Sequence, residues 1–264
     1  MSLRRLDAEL VRRGLAPSRA QAREAVSAGR VSVRGITTTK PASLVAEDAP
    51  VEFVGAARPF VSRGGGKLAA ALDRFAVDVE GRSCLDAGAS TGGFTDCLLR
   101  RGAVRVIAVD VGYGQLAWEL RSDPRLTVME RTNVRDLTRD GLPFVPELLV
   151  ADLSFISLVT VLPALAPLGN GDTEAVVLVK PQFEAGRDAV GRGGVVRDPD
   201  VWRDVLERVS AAARREGLEP AGVMASPLPG PAGNVEFLLH LRRGTPGAPP
   251  DVESAIAEGE ELRP

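Results

Sequence analysis

From Ser83 to Arg243 the chain repeats one pattern: a short, nearly continuous apolar run, a turn, and a stretch of helical periodicity. Apolar runs without alternation mark strands buried on both faces, and strands separated by helical stretches are most simply joined in parallel. The runs lie in SCLDAGA, VRVIAVDV, LTVMER, ELLVADLSF and EAVVLVKPQF, and the helical stretches in GFTDCLLRRG, QLAWELRSD, VTVLPALAPL and residues 200–216. Two further strands are expected near 219–226 and 235–242, and the short Pro/Gly loop between them makes that pair antiparallel. The expected fold class is α/β: a Rossmann-like, mostly parallel seven-stranded sheet whose last strand is antiparallel, preceded by a small α+β domain.

That small domain occupies residues 1–57. Leu3, Leu6 and Leu10 fall at helical spacing and Gly14 ends the helix. Ser18 has the place of an N-cap, with Gln21 three residues on, and Ala22, Ala25 and Val26 give the second helix its buried face before Gly29. Val31-Ser32-Val33 and Val51-Glu52-Phe53-Val54 alternate as strands, with Arg34-Gly35 as a turn. The net charge of −2 hides an asymmetry. Residues 1–67 hold 12 Lys/Arg against 6 Asp/Glu, while the remainder is acidic by eight charges. A basic module on an acidic body suits a polyanionic partner. Arg19 and Arg23 share one helical face, with Arg4 before it and Arg30 at its end; the same arrangement also fits a solvated surface. Residues 58–66 read as a linker rich in glycine, 67–243 as the large domain with Lys67 opening its first helix, and 244–264 as a mobile acidic tail.

Composition excludes several chemistries. No apolar run approaches the roughly 18 residues that span a bilayer, and the charged N-terminus lacks a signal-peptide core, so a cytoplasmic location and no membrane partner are expected. Cys84 and Cys97 have neither zinc-site spacing nor the density of a disulfide scaffold. His240 is the single histidine and lies in an apolar strand, which argues against a His-rich metal site and a Ser-His-Asp mechanism. No metal is expected, and proton transfer falls to Lys, Asp, Glu, Tyr or water.

Two sets of residues carry the chemistry. Where the first strand of the large domain turns into a helix, Asp86-Ala87-Gly88-Ala89-Ser90-Thr91-Gly92-Gly93-Phe94 lets backbone approach a ligand at the carboxyl end of the sheet. Asp110 ends the next strand, where a carboxylate accepts hydrogen bonds from a ribose; position alone does not choose between NAD and S-adenosylmethionine. The second set is Asp152 and Lys180, each following an apolar run at the carboxyl edge, Glu236 at the start of the antiparallel strand on that same edge, and Lys67. Half-buried ionisable groups cost free energy unless they are paired or used.

Resemblances then narrow the reading. RLDAELVRRGLAPSRAQAREAVSAGRVSVRG resembles the RNA-binding domain named after ribosomal protein S-four, which implies that the helix pair and the following turn grip RNA through arginines such as Arg4, Arg19, Arg23 and Arg30. The D-x-G-x-x-x-G-G-F run is similar to the S-adenosylmethionine motif of FtsJ-related enzymes. It implies that Asp86, Gly88 to Gly93 and Phe94 hold the cofactor, with Asp110 on the ribose and Asn133 reading the adenine edge. Lys67, Asp152, Lys180 and Glu236 resemble, in order, the Lys-Asp-Lys-Glu tetrad of ribose 2′-O-methyltransferases. A ribose hydroxyl is a poor nucleophile while a sulfonium is an activated methyl donor, so such an enzyme needs in-line positioning and removal of one proton. The resemblance implies Lys180 as the base, aided by Lys67, with Asp152 and Glu236 orienting the ammonium and the hydroxyl. The fourth-strand sequence Asp152-Leu153-Ser154-Phe155 lacks the Pro-Pro pair of amino-group methyltransferases, which favours hydroxyl chemistry.

GASTGGFT, DVGYGQLAW, ADLSFISL, VKPQFE and ASPLPGPAGNVEF, joined to the N-terminal domain, resemble the TlyA family of bacterial proteins over residues 3–242. The resemblance implies 2′-O-methylation of cytidines in ribosomal RNA, with ribosomal subunits as partners. The family's linker often reads Arg-x-Trp-Val; here Arg58-Pro59-Phe60-Val61 keeps an aromatic ring without the indole donor. The family's haemolysin label supplies a different expectation, membrane damage, which no amphipathic or spanning segment here supports. After Lys180, a loop with four glycines carries Arg187, Arg192 and Arg197 and could fold over substrate phosphates.

Overall fold

The computed structural model describes residues 3–16, 18–53, 60–244 and 249–263, apart from the side chain of Arg187. The chain divides into two compact units, Met1–Arg58 and Pro59–Pro264. Part of the stretch read as a linker, and the tail residues 245–248 and 264, lie outside the described residues.

The first unit runs β1 (Leu3–Arg5), α1 (Leu6–Arg12), α2 (Arg19–Ser27), β2 (Val31–Val33), β3 (Ile36–Thr38), β4 (Leu44–Ala46) and β5 (Val51–Phe53). Ser18 caps α2 by accepting from the Gln21 amide at 3.3 Å, and Gly29 takes the left-handed backbone (φ 66°) that stops it. Arg34 and Gly35 both have positive φ, the geometry that turns β2 back on β3 in a two-residue hairpin. Leu6, Leu10, Ala22, Ala25 and Val26 pack with Val31, Val45 and Val51 into a single core. Leu3 does not join α1 as its spacing suggested: it is exposed in β1, paired antiparallel with β4 opposite Ala46.

The second unit contains α3 (Arg63–Arg74), β6 (Ser83–Ala87), α4 (Gly93–Arg100), β7 (Arg105–Val109), α5 (Trp118–Arg121), β8 (Leu126–Met129), β9 (Leu148–Ala151), α6 (Leu158–Leu165), β10 (Glu174–Val179), α7 (Pro181–Glu184), α8 (Pro199–Arg215), β11 (Leu218–Ala225), β12 (Phe237–Arg243) and α9 (Val252–Glu261). Its seven strands lie in the order β11-β12-β10-β9-β6-β7-β8, and β12 runs antiparallel to both of its neighbours. The sheet is mixed and Rossmann-like, as its sequence pattern predicts. One face packs on α6 and α8 through Val161, Leu162, Leu206 and Trp202; the other packs on α3 and α4 through Leu68, Leu72 and Leu98. Both cysteines are buried there, and burial pushes each thiol up to about 12.

Two boundaries differ from the sequence reading. Helix α3 begins at Arg63, so Lys67 stands in its second turn and Gly64-Gly65-Gly66 are helical. Three glycines disfavour a helix, but a Cβ on Gly65 would collide with the Phe60 ring and approach the Gly93 carbonyl to 2.9 Å. Gly65 allows the close approach of α3 to α4. Residues Val252–Glu261, read as part of a mobile tail, form a packed helix. Asp251 caps α9, Ala255, Ile256 and Gly259 are buried, and a Cβ on Gly259 would stand 3.0 Å from Val235. Glu258 accepts from the Ala225 amide at 3.0 Å and pairs with Arg74 at 3.3 Å. The acidic composition of this segment hides the small residues on its inner face.

Candidate active site

The carboxyl edge of the sheet is shaped first by register. Val177 of β10 lies beside Ala151 of β9, and Val179 lies opposite Phe237 of β12. Asp152 and Lys180 follow their strands directly, and Glu236 precedes its own. Alternation therefore aims all three toward the face that α3 covers, because Val150, Leu178 and Leu238 belong to that face. Lys67 sits on the buried side of α3.

The four groups form two ion pairs. Lys180 Nζ stands 2.6 Å from Asp152 Oδ1 and donates to Ser154 Oγ at 3.0 Å. Lys67 Nζ donates to Glu236, and both side chains are almost wholly buried. Asp152 and Lys180 line an open cleft of about 470 Å³ together with Ser154 and the glycine turn; Lys67 and Glu236 do not reach its surface. Removing one partner of so buried a pair leaves an uncompensated charge, at a cost of about 3–5 kcal/mol.

The glycine turn supplies the rest of the cleft. Gly88, Ala89, Ser90, Thr91, Gly93 and Phe94 line it. Gly88 (φ 86°), Ser90 (φ 48°) and Gly92 (φ 96°) all hold left-handed backbone, a dense bend that brings main chain against the cleft. A Cβ on Gly88 would stand 2.5 Å from the Asp152 carbonyl oxygen. Gly92 is also fixed by packing: a Cβ there would meet Leu120 at 2.4 Å and Leu116 at 2.8 Å. Asp110 is engaged by the turn itself, Oδ2 accepting from the Ser90 amide at 2.7 Å and Oδ1 from Gly112 at 2.6 Å. It lines a neighbouring cavity of about 220 Å³ with Ser90, Gln115 and Glu130. Asn133 lines neither space; its side chain accepts from the Arg135 amide and caps the short turn Val134–Asp136.

Asp86 is completely buried. Its Oδ2 accepts from Thr95 Oγ1 at 2.7 Å, while Oδ1 is buried without a partner. Burial pushes this carboxyl up to about 7, against the hydrogen bond from Thr95 and with further repulsion from Asp152 and Asp110. An edge set with Asp86, Asp110 and Asp152 suits a cationic ligand and opposes the pyrophosphate of a dinucleotide. The residues therefore fit S-adenosylmethionine, whose sulfonium and ammonium are both positive.

Sequence reasoning missed how the two loops of the edge are tied. Glu184 accepts from Ser157 Oγ at 2.5 Å and from the Leu158 amide at 2.6 Å, which laces the segment after β9 to the turn after β10. Its burial pushes the carboxyl above the usual range. Phe155, 91 % exposed and with a left-handed φ of 64°, packs against Phe183 across the same two loops. Beyond them, Asn234 accepts from the Val196 amide at 2.9 Å and donates to the Gly194 carbonyl at 2.9 Å, anchoring the glycine-containing loop.

In the first unit the arginines are not bare cations. Asp7 is buried at the start of α1 and gathers Arg5 at 2.9 Å, Arg19 at 3.2 Å and Arg23 at 3.6 Å. Glu9 gathers Arg12 at 2.6 Å and Arg13 at 2.7 Å. Arg4 pairs with Glu47 at 2.9 Å, and Arg30 is half-buried. The cluster around Asp7 still keeps an excess of positive charge, on guanidiniums about half exposed. Hydrogen bonds from Arg5 hold the Asp7 carboxyl at about 2 against its ordinary 3.8, and those from Arg12 hold Glu9 at about 2 against 4.5. Carboxyls depressed by folding stabilise the folded state above their unfolded values and lose that contribution as pH falls toward about 2. Thermal unfolding of the full chain followed from about pH 6 to about pH 3 is expected to show the first unit weakening, with Asp7→Asn flattening that dependence. An identical pH profile in the variant would contradict the assignment.

A mixed seven-stranded sheet of this strand order, with a glycine turn and an acidic edge after its first parallel strand, defines a Rossmann-like methyltransferase. The chain belongs to the FtsJ-like methyltransferase family, in its TlyA branch: that family's model matches residues 60–243, and the S4 domain matches residues 4–51. S-adenosylmethionine is the cofactor of this family. The chain is 53% identical over 262 residues to the 16S/23S rRNA (cytidine-2'-O)-methyltransferase TlyA of Mycobacterium tuberculosis, covering 97% of this chain and 98% of that protein. It is 38% identical to hemolysin A of Brachyspira hyodysenteriae, covering 90% of this chain and 99% of that one. Among solved structures, a candidate hemolysin from Streptococcus thermophilus matches with a TM-score of 0.78 at 39% identity, covering 99% of this chain and 97% of that chain. Among the described residues no helix is long and apolar enough to cross a membrane, and no three His, Cys, Asp or Glu side chains are grouped to hold a metal ion.

Proposed function

We propose that this chain transfers a methyl group from S-adenosylmethionine to the ribose 2′-hydroxyl of a cytidine in ribosomal RNA. The observation that carries the reading is the Lys180–Asp152 pair, 2.6 Å apart, lining the cleft beside the glycine turn. The activity of the Mycobacterium tuberculosis relative, at 53% identity over almost the whole chain, supports the same chemistry. On this reading residues 1–57 bind RNA through Arg4, Arg19, Arg23 and Arg30, and the second unit, with α3 from Arg63, catalyses.

Asp86, the 88–94 turn and Asp110 would hold the cofactor, and Asn133 would approach its adenine. When bound, S-adenosylmethionine supplies an electrophilic methyl on a positive sulfur. Lys180 Nζ, as the free amine, takes the proton of the 2′-hydroxyl, and Asp152 holds that nitrogen in place. The buried Lys67–Glu236 pair backs the site and fixes the adjoining end of β12. Arg192 and Arg197, in the loop after α7, are exposed and available to phosphates.

Incubating the purified protein with unmodified ribosomal subunits and methyl-labelled S-adenosylmethionine is expected to place label in 2′-O-methylcytidine after complete digestion of the RNA. Label on a base, or none on RNA, would overturn the proposal.

A further inference from the structure

We infer that Ser154 is a positioning residue that sets the direction in which Lys180 presents its reactive electron pair; the inference rests on Lys180 as the base of the proposed reaction. Beyond that reading, it explains how a flexible side chain can serve as a directed base.

A lysine ends in a freely rotating nitrogen at the tip of four methylenes, so nearness to a substrate does not by itself aim its lone pair. Two acceptors from one loop meet this nitrogen: Asp152 Oδ1 at 2.6 Å and Ser154 Oγ at 3.0 Å. An ammonium has three donors, and a neutral amine has two donors and one lone pair. Asp152 Oδ1 attracts the nitrogen by charge without an aligned hydrogen bond, so the hydrogen bond to Ser154 sets the direction in which the lone pair points. All three residues line the same cleft, so that open space receives it. The Phe183 ring lies 5.9 Å from Nζ and brings no side-chain oxygen or nitrogen to compete with Ser154. Asp152 alone would leave Nζ free to rotate within an ion pair; the hydrogen bond to Ser154 removes that freedom.

The loop is built to hold its serine still. Ser154 lies between Asp152, whose amide donates to Ala87 at the sheet edge at 3.1 Å, and Ser157, which the Glu184 carboxylate fastens to the turn after Lys180. Ser154 is itself exposed, so its hydroxyl contributes little to the core and can be removed without opening a buried cavity.

Steady-state kinetics on ribosomal RNA substrate test the inference. Ser154→Ala is expected to lower kcat about tenfold while KM for S-adenosylmethionine and for RNA each stay within about twofold, because aim and not binding is lost. Ser154→Thr, which keeps the hydroxyl, is expected to recover kcat to within about threefold of the parent. In a Lys180→Ala background, adding Ser154→Ala is expected to change the residual single-turnover rate no further. An unaffected Ser154→Ala, a Ser154→Thr as slow as alanine, or a further loss in the Lys180→Ala background would each overturn the role of Ser154. Full activity in Lys180→Ala would instead overturn the base assignment beneath it, so the two failures are told apart.

Discussion

Replacing Lys180 with alanine is expected to reduce methyl transfer about a thousandfold while leaving S-adenosylmethionine affinity within a few-fold of the parent. The two effects separate because of where Lys180 sits. It lines the cleft through a side-chain nitrogen beside Asp152, while the turn expected to hold the cofactor lines it through Gly88 to Thr91 and is braced by Asp110. Single-turnover transfer to ribosomal RNA and calorimetric titration of the cofactor measure the two quantities. A variant that transfers methyl at the parental rate would remove Lys180 from the chemistry. A variant that loses rate and cofactor binding together would make the residue a structural support of the cleft. Lysine-to-arginine exchange is expected to be as damaging as alanine, because a guanidinium does not give up its proton under these conditions.

The second large effect is expected from one methyl group. Gly88→Ala forces a Cβ to within 2.5 Å of the Asp152 carbonyl oxygen at a residue whose φ is +86°. The left-handed backbone alone costs about 1–3 kcal/mol for a residue with a side chain, and the collision adds a similar amount of overpacking. Relief requires β6 and β9 to part where Asp86 and Asp152 emerge, so both the cofactor turn and the Lys180–Asp152 pair are disturbed together. Denaturant unfolding is expected to show about 2–4 kcal/mol lost, and calorimetry at least a tenfold weaker S-adenosylmethionine interaction. Parental stability and affinity would mean that the turn tolerates a side chain, which the close approach to Asp152 argues against.

How much of this was legible depended on whether the signal was local. The strands β7, β9 and β10 are apolar almost throughout and buried on both sides, and such runs leave few alternatives. Asp152 and Lys180 were found by the same token: a charged residue directly after a buried strand stands at its edge. The pairing of Lys67 with Glu236, 169 residues apart, required the antiparallel register of β12 and the true start of α3. That start was hidden because Gly64, Gly65 and Gly66 are poor helix formers, and the close approach of Gly65 to Phe60 and α4 is invisible to local preference. Gly92 and Asn133 have local structural roles that sequence position did not announce. Their positions suit a ligand, and one also clears space for Leu116 and Leu120 while the other caps a turn. Helix α9 was missed because its inner face is Ala, Ile and Gly among acidic neighbours, a weak apolar stripe that only the packing on Val235 and Phe237 reveals. Asp7 looked like one acid among many arginines, and nothing in its spacing announced that it collects three of them.

The carboxylate of Asp7 has a thermodynamic consequence for recognition. Arg5, Arg19 and Arg23 are drawn together while the first unit folds, so much of their rotamer entropy, on the order of 1 kcal/mol for each long side chain, is surrendered before any nucleic acid arrives. A phosphate backbone meeting the proposed surface encounters guanidiniums already fanned in fixed directions around a single anion, which is preorganisation supplied by an acid inside a basic module.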